Sequence, residues 1–260
     1  MKKIDAGALV FELLVFSKQK AQLLNDLKTE LKSAKKTRIL FTPNPEQVVL
    51  ASKNRAFKKY LQQADILIPD GVGLVYASKL LGFFGKAQAL KERIPGVEVV
   101  EDLLRIAQEE KLKVMVIGGR GYDDLESGQT NISSKTEGQS VQIQWLEAYR
   151  DVAKIKKEEE LELVKTIKKN KPDIVFVAFG APFQEQWIIE HQELFNKIGV
   201  KLAMAVGGSF DFILGKVPRA PLLVRVLALE WLYRLIQEPW RWRRQLSLVE
   251  FIGLIFKELI

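Results

Sequence analysis

Polar side chains follow two short apolar runs in a pattern that could place them around one substrate. The run 38–41 leads into Thr42 and Asn44, and the run 65–68 leads through a proline to Asp70. A carboxylate held at such a point can accept a proton from a substrate hydroxyl, so Asp70 is the candidate general base. An Asp-Gly pair is also a common turn or helix cap, and that structural role stays open for Asp70.

Glycines end three later apolar runs and indicate a site for phosphate groups. They are Gly118, Gly119, Gly180, Gly207 and Gly208. Glycine lets backbone N–H groups approach a phosphate closely, and a helix N-terminus that follows favours negative charge. Turns between strands and helices also use glycine for conformational reasons alone. Three such ends on one sheet predict a nucleotide or diphosphate site, although the sequence contains no dinucleotide fingerprint and no P-loop motif.

Residues for metal or thiol chemistry are scarce. The chain has no cysteine, and His191 is its only histidine. The Asp-x-Asp spacing that often holds a metal on a nucleotide diphosphate does not occur, and Asp211 is as ambiguous as Asp70 between a site role and a structural one. We therefore expect a reaction without metal or cofactor.

The segments that must position these residues alternate between strand and helix patterns. Alternation of this kind predicts a Rossmann-like α/β fold, with a mostly parallel sheet flanked by helices. Residues 86–97 have no clear period, and we expect a mobile functional loop that carries Arg93. The predicted strands are 8–16 (as half of a hairpin), 38–41, 65–68, 113–117, 141–145, 174–179 and 201–206, and the predicted helices are 18–34, 46–60, 74–81, 99–110, 155–170 and one after residue 182.

A change of character near residue 218 divides the chain into an α/β core, 1–217, and a helical appendage, 218–260. The chain carries a net charge of +8, and residues 216–260 hold eight basic and four acidic residues. Arginines interleaved with tryptophan and leucine suit diphosphates, an anionic membrane surface, single-stranded nucleic acid, or only a solvated face. Membrane contact fits best, because long aliphatic runs accompany the tryptophans 231, 240 and 242.

Length and composition indicate an ordinary globular protein. The chain has 260 residues, of which 47% are hydrophobic and 28% are charged. It contains no cleavable signal pattern and no uncharged apolar run of about 18 residues, the minimum for a spanning helix. We expect a cytoplasmic location, peripheral on the inner face of the cell membrane.

Eight short motifs, taken in order, resemble the WecG/TagA/CpsF glycosyltransferases, which form glycosyltransferase family 26. One departure is Phe183, which stands where the family commonly has lysine. The motifs cover most of the chain and are 42–46 (TPNPE), 69–73 (PDGVG), 93–96 (RIPG), 180–185 (GAPFQE), 206–211 (VGGSFD), 219–221 (RAP), 230–234 (EWLYR) and 238–241 (EPWR).

The resemblance implies transfer of a sugar, N-acetylmannosamine or a related hexose, from a UDP-sugar to a polyprenyl-diphosphate-linked sugar. It implies inversion, no metal, and a place in teichoic-acid, cell-wall or surface-polysaccharide synthesis. Asp70 would be the general base, with Thr42 and Asn44 beside it and Arg93 reaching in from the loop. Gln184 and Glu185 would help to hold the nucleotide-sugar. The residues that would meet the lipid diphosphate are Arg234, Arg241 and Arg244.

Two other functions remain as alternatives from the sequence alone. One is a nicotinamide-dependent oxidoreductase on a similar sheet, and the other is a basic module that binds nucleic acid. Neither accounts for the ordered motifs, so we expect no nucleic-acid partner. The resemblance leaves the chain either a monomer at the membrane or a homo-oligomer in solution.

Overall fold

A computed structural model describes residues 7–119, 130–133, 140–221, 224, 230–237, 239 and 242–260. The strands are β1 Gly7–Val10, β2 Leu13–Phe16, β3 Arg38–Phe41, β4 Ile66–Leu67, β5 Val114–Gly118, β6 Thr130–Ser133, β7 Ser140–Leu146, β8 Ile174–Ala178 and β9 Leu202–Ala205. The helices are α1 Lys20–Ser33, α2 Pro45–Lys53, α3 Arg55–Gln63, α4 Val72–Phe83, α5 Gly96–Glu109, α6 Lys157–Asn170, α7 Phe183–Glu190, α8 Gln192–Ile198, α9 Ser209–Ile213, α10 Glu230–Gln237 and α11 Trp242–Leu259.

The main sheet has the order β4-β3-β9-β8-β5-β7-β6, and six of its strands run parallel. Only β6 pairs antiparallel, at the edge beside β7. The central strands β5, β8 and β9 are apolar along their whole length, as in the IVFVA sequence of β8, because helices cover both faces of the sheet. The predicted α/β fold with a mostly parallel sheet is confirmed.

The core consists of two apolar layers, one on each face of the sheet. Successive strand residues alternate between them, so that Val175 points into one layer and Phe176 into the other. Leucines spaced four apart on α1 pack in the same layer as α5 and α9, which contributes Phe210. The opposite layer contains side chains of α2, α3, α4, α6, α7, α8 and α11.

Three features differ from the predicted elements. Residues 8–16 form a complete hairpin, β1–β2, where one strand was predicted. The predicted helix 46–60 is two helices, because Asn54 has an extended backbone and its side-chain oxygen accepts the Phe57 N–H, which starts a new helix. The antiparallel strand β6 was not predicted, and most of the stretch 120–139 around it lies outside the described residues.

The loop expected at 86–97 is irregular but is anchored at two points. Its residues Leu90 and Ile94 are buried, and their N–H groups donate to Ser78 Oγ at 2.9 Å and to the Pro69 carbonyl at 2.9 Å. The helix α5 begins at Gly96, three residues before its predicted start. The predicted mobility of this loop stays a prediction.

The helix α11 packs against α2 and α4. Its Phe251 is 3% exposed and belongs to the same apolar layer as side chains of α2. The centroids of the Phe251 and Phe11 rings are 5.3 Å apart. Lys53 of α2 forms an ion pair with Glu250 at 2.5 Å.

The division into two domains near residue 218 stays a prediction. Among the described residues, none of the helices has the length and apolar composition needed to cross a bilayer.

Phe251→Ala should lower the free energy of unfolding by about 3 kcal/mol or more, because a large buried side chain leaves a cavity. Phe256→Ala on the same helix is the matched control, since that ring is 61% exposed and its loss should change stability by about 0.5 kcal/mol or less. Urea unfolding of both variants measures the difference. Equal effects would contradict the packing of α11 against α2.

Candidate functional site

The predicted site residues follow parallel strands and therefore emerge at one edge of the sheet. Along this edge the order is Asp70 after β4, Thr42 and Asn44 after β3, Gly207 and Gly208 after β9, Gly180 after β8, and Gly118 and Gly119 at the end of β5. The connection after β5 leads toward β7, whereas the one after β8 leads back to β9. A crevice between strands whose connections diverge is the usual ligand position in such sheets.

Asp70 lies close to the loop after β3, as the two polar loops predicted. Its N–H donates to the Pro43 carbonyl at 3.1 Å. A Cβ added to Gly71 would lie 2.3 Å from Pro45 Cδ, so only glycine lets the chain pass this proline. The two loops are in direct contact.

The Asp70 carboxylate accepts a hydrogen bond from the backbone of α5. The Gly96 N–H donates to its Oδ1 at 2.9 Å. Arg93 donates from Nε to the Asp70 carbonyl at 2.5 Å, and its guanidinium lies 3.9 Å from Oδ1. The side chain remains 32% exposed. The carboxylate is thus oriented by α5 and Arg93 and is still accessible to a substrate.

Thr42 and Asn44 have defined structural contacts. The Asn44 side-chain oxygen accepts the Gln47 N–H at 3.0 Å and caps α2. A Cβ on Gly96 would approach Thr42 Cγ2 to 3.1 Å, so Thr42 packs against the start of α5. Both residues are half-buried beside Asp70.

A cleft of about 250 Å³ lies at the glycine-rich ends of β5, β8 and β9. At Gly180 the backbone φ is +78°, and an added Cβ would meet nothing within 4 Å, so the left-handed conformation itself requires glycine there. Phe179 also lines the cleft and was not among the predicted site residues. The lining residues are Gly119, Ala178, Phe179, Gly180, Gly207, Gly208 and Asp211.

The buried side chain of Gln184 is hydrogen-bonded to two of these loops. It is 3% exposed, and its Oε1 accepts the Gly180 N–H at 3.2 Å and the Gly207 N–H at 3.0 Å. Its Nε2 donates to Glu185 Oε1 at 2.9 Å. Gln184 therefore fixes the loops that line the cleft, and in this geometry its polar atoms contact protein rather than the cleft.

Glu185 is a buried carboxyl group at the junction of α2 and α7. It is 0% exposed, and its Oε1 also accepts from Gln47 Nε2 at 3.2 Å. Glu185 Oε2 and Gln47 Oε1 have no hydrogen-bond partner among the described residues. Burial raises the pKa of Glu185 to about 7, and the bonds from Gln184, from the backbone of Glu185 and from Gln47 oppose that rise. Gln47 was not predicted, because no sequence pattern marks it.

One arginine near the predicted boundary at 218 forms ion pairs with α5. Arg219 forms ion pairs with Glu98 at 3.0 Å and with Glu101 at 3.5 Å. Both carboxylates belong to the helix whose first N–H group binds Asp70. The segment after β9 is thus connected to the Asp70 region.

The structure does not test the arginines predicted to bind a lipid diphosphate. By backbone position, Arg234 falls in α10 and Arg244 falls in α11. Arg241 lies outside the described residues. Within the described part of the chain, no group of three or more His, Asp or Glu side chains is placed to hold a metal ion.

A comparison with family models finds one match over nearly the whole chain. The model described as the glycosyl transferase WecG/TagA/CpsF family matches residues 9–260. The match includes every motif on which the sequence resemblance was based.

Curated relatives match over most of their own length. The chain is 34% identical to a Bacillus subtilis (strain 168) protein over 220 residues, which are 85% of this chain and 79% of the relative. That protein is named N-acetylglucosaminyldiphosphoundecaprenol N-acetyl-beta-D-mannosaminyltransferase. Proteins of the same name from Bacillus spizizenii and Staphylococcus aureus (strain MW2) are 33% and 32% identical, over 90% and 86% of this chain and 84% and 80% of theirs.

Replacing Glu185 with glutamine should change the pH dependence of stability. The folded-state pKa of about 7 lies above the ordinary value of 4.5, so between these values the folded chain holds a proton that the unfolded chain has lost. The contribution of Glu185 to wild-type stability therefore falls as pH rises through this window, by up to about 3 kcal/mol, and is constant above it. Relative to the wild type, Glu185→Gln should become more stable as pH rises from about 5 to about 8.

Urea unfolding at several pH values measures this difference. Glu190→Gln is the matched control, because Glu190 lies on the same helix and is exposed. A difference between Glu185→Gln and the wild type that does not vary with pH would contradict the raised pKa.

Proposed function

The chain belongs to the WecG/TagA/CpsF family of glycosyltransferases, and we propose that it transfers N-acetylmannosamine or a related hexose from a UDP-sugar to a polyprenyl-diphosphate-linked N-acetylglucosamine. The relatives' names describe that acceptor and that sugar. The product would enter teichoic-acid or other cell-wall polysaccharide synthesis. The oxidoreductase and nucleic-acid alternatives have no support from the family match.

The observation that carries this proposal is the position of Asp70. Its carboxylate lies at the carboxyl edge of the sheet, is held by the Gly96 N–H, and is accessible to solvent. Two strand spacings, or about 10 Å, separate β4 from β9, where the glycine cleft begins. That span suits an acceptor hydroxyl beside Asp70 and a nucleotide diphosphate in the cleft.

The reaction is a single displacement at the anomeric carbon of the donor. The acceptor hydroxyl oxygen forms a bond to that carbon while the bond to the UDP oxygen breaks, and Asp70 takes the hydroxyl proton. Attack opposite the leaving group inverts the configuration. Inversion rests on this single-base arrangement and on the family resemblance.

The leaving diphosphate needs positive partners as its charge develops. Backbone N–H groups at Gly119 and Gly208 border the cleft and can supply them without a metal. Asp211 lines the same cleft, and a carboxylate repels phosphate but accepts hydrogen bonds from hydroxyl groups. We therefore place the ribose or the sugar hydroxyls beside Asp211 and the diphosphate at the glycines.

Gln184 and Glu185 help to hold the donor indirectly. Gln184 accepts hydrogen bonds from the loops that line the cleft, and Glu185 accepts one from Gln184. Arg93 holds the backbone of Asp70 and lies beside its carboxylate, so it orients the base and meets the acceptor. Arg234, Arg241 and Arg244 are proposed to bind the lipid diphosphate when the C-terminal segment is at the membrane.

Peripheral contact with the inner membrane face is part of the proposal. The helix α11 buries Phe251 on one side, whereas Trp242, Leu246, Val249 and Phe256 are exposed. An apolar stripe on an exposed helix, in a basic segment, suits an anionic lipid surface. Self-association of the chain stays a prediction.

Asp70→Asn should lower kcat by about 10²–10⁴-fold, because asparagine cannot accept the proton. The thermal midpoint should change little, since asparagine keeps an oxygen for the Gly96 N–H. Asp151→Asn, at an exposed aspartate, is the control for loss of one negative charge. Near-normal turnover of the Asp70 variant would remove Asp70 from the mechanism.

The direct test is release of UDP by the full-length protein in the presence of EDTA. Each of several UDP-sugars is supplied with a short-chain polyprenyl-diphosphate-N-acetylglucosamine. We expect release that depends on the acceptor, with UDP-N-acetylmannosamine as the preferred donor. Activity that appears only with added Mg²⁺ would overturn metal independence, and the absence of release with every donor would overturn the proposed reaction.

A further inference from the structure

We propose that the outer face and C-terminal end of α4 form a second lipid-contacting surface, distinct from the C-terminal segment. This α4 patch consists of Tyr76, Leu80, Phe83 and Phe84 with the flanking lysines Lys79 and Lys86. All six side chains are exposed, and Phe83 is 85% exposed. The Phe83 and Phe84 rings lie edge to face with centroids 5.3 Å apart. Exposed aromatic side chains grouped in this way mark an interaction surface.

The pattern of α4 explains why this face exists. Its inward positions Leu74, Ala77, Ser78 and Leu81 are buried, so the helix is anchored by the opposite face. The outward positions would ordinarily be polar, yet they carry Tyr76, Leu80 and Phe83. Packing against the described part of the chain does not account for these apolar residues.

The positive charge around the α4 patch indicates that it contacts anionic lipid. No acidic residue occurs from Gly71 to Lys91, whereas lysines stand at 79, 86 and 91. Aromatic rings at a headgroup boundary with lysines beside them match an anionic bilayer. A second copy of the chain fits less well, because a symmetric contact places the same patch on both sides and brings its lysines together.

The position of α4 connects the lipid contact to Asp70, and this step of the inference rests on the proposed function. The helix begins at Val72, two residues after Asp70, and is about 18 Å long at 1.5 Å per residue. The chain returns from Phe84 to Arg93, which holds Asp70. Anchoring the α4 patch would set the height of Asp70 above the bilayer, where a lipid-linked acceptor presents its sugar.

The adjacent helix is also suited to lipid contact. Residues of α4 and α11 are in contact, and a Cβ on Gly73 would lie 3.5 Å from the Phe251 ring. The outer side of α11 is apolar, as described above. The α4 patch therefore lies on a helix that contacts another helix with an exposed apolar side.

The test is sedimentation of the full chain with vesicles of equal parts phosphatidylglycerol and phosphatidylcholine, without donor or acceptor. The double variant Phe83→Ser/Phe84→Ser should lower the partition coefficient about tenfold, because each ring loses apolar burial. Lys79→Gln/Lys86→Gln should lower it about tenfold with these vesicles and little with phosphatidylcholine alone. Leu161→Ser is the matched control, an exposed apolar residue on α6, a helix whose first turn is acidic.

Hydrogen exchange of the wild-type chain gives a measure that needs no variant. Adding the same vesicles should slow amide exchange in residues 79–88 and leave 157–170 unchanged. Unchanged partitioning of both double variants, or unchanged exchange in 79–88, would overturn the proposal. Conversion of a wild-type dimer to a monomer by the serine variant, measured by light scattering, would assign the α4 patch to a second copy and would also overturn it.

Activity separates this inference from the proposed function. The serine variant should transfer sugar normally to a water-soluble short-chain acceptor and about tenfold more slowly to a long-chain acceptor in vesicles. Vesicle binding without UDP release from any donor would support the surface while overturning the reaction. Normal transfer to the long-chain acceptor by the serine variant would support the reaction while overturning the surface.

Discussion

The candidate site depends on six strands that run in the same direction. Parallel strands need long crossovers. Helices form the crossovers from β3 to β4, β4 to β5, β7 to β8 and β8 to β9, and the carboxyl ends of the parallel strands meet at one edge. Residues separated by more than a hundred positions, such as Asp70 and Gly207, are brought to that edge by the order β4-β3-β9. A one-residue slip of β9 would exchange Ala203 and Met204 between the two apolar layers, so burial also fixes the register.

Buried polar groups keep the loops at this edge in place. A loop with glycines in left-handed conformations cannot form regular backbone hydrogen bonds, and its N–H groups need other acceptors. One amide oxygen of Gln184 serves two such loops, and the neighbouring carboxyl group of Glu185 reaches α2 through Gln47. The interior thus holds a polar connection between the loops that line the glycine-rich cleft and the helix α2 beside Asp70.

Much of this arrangement could be predicted from the sequence, because apolar runs and the polar residues after them are local features. The neighbouring loops at Asp70 and Asn44 and the three glycine-ended strands follow from that pattern. The break at Asn54, the edge strand β6 and the burial of Phe251 could not, since each depends on a side-chain cap or a distant partner. Periodicity also cannot tell that Gln184 turns inward to bond backbone groups.

The fit between Gly71 and Pro45 has a consequence for interpreting mutants of this family member. Because an added Cβ at residue 71 would overlap Pro45, any substitution there must separate the loops after β3 and β4. A variant at Gly71 would then lose activity although glycine performs no chemistry. In a mutational scan, this position would be indistinguishable from a catalytic residue unless the proline were replaced at the same time, as in a compensatory pair with a smaller residue at 45.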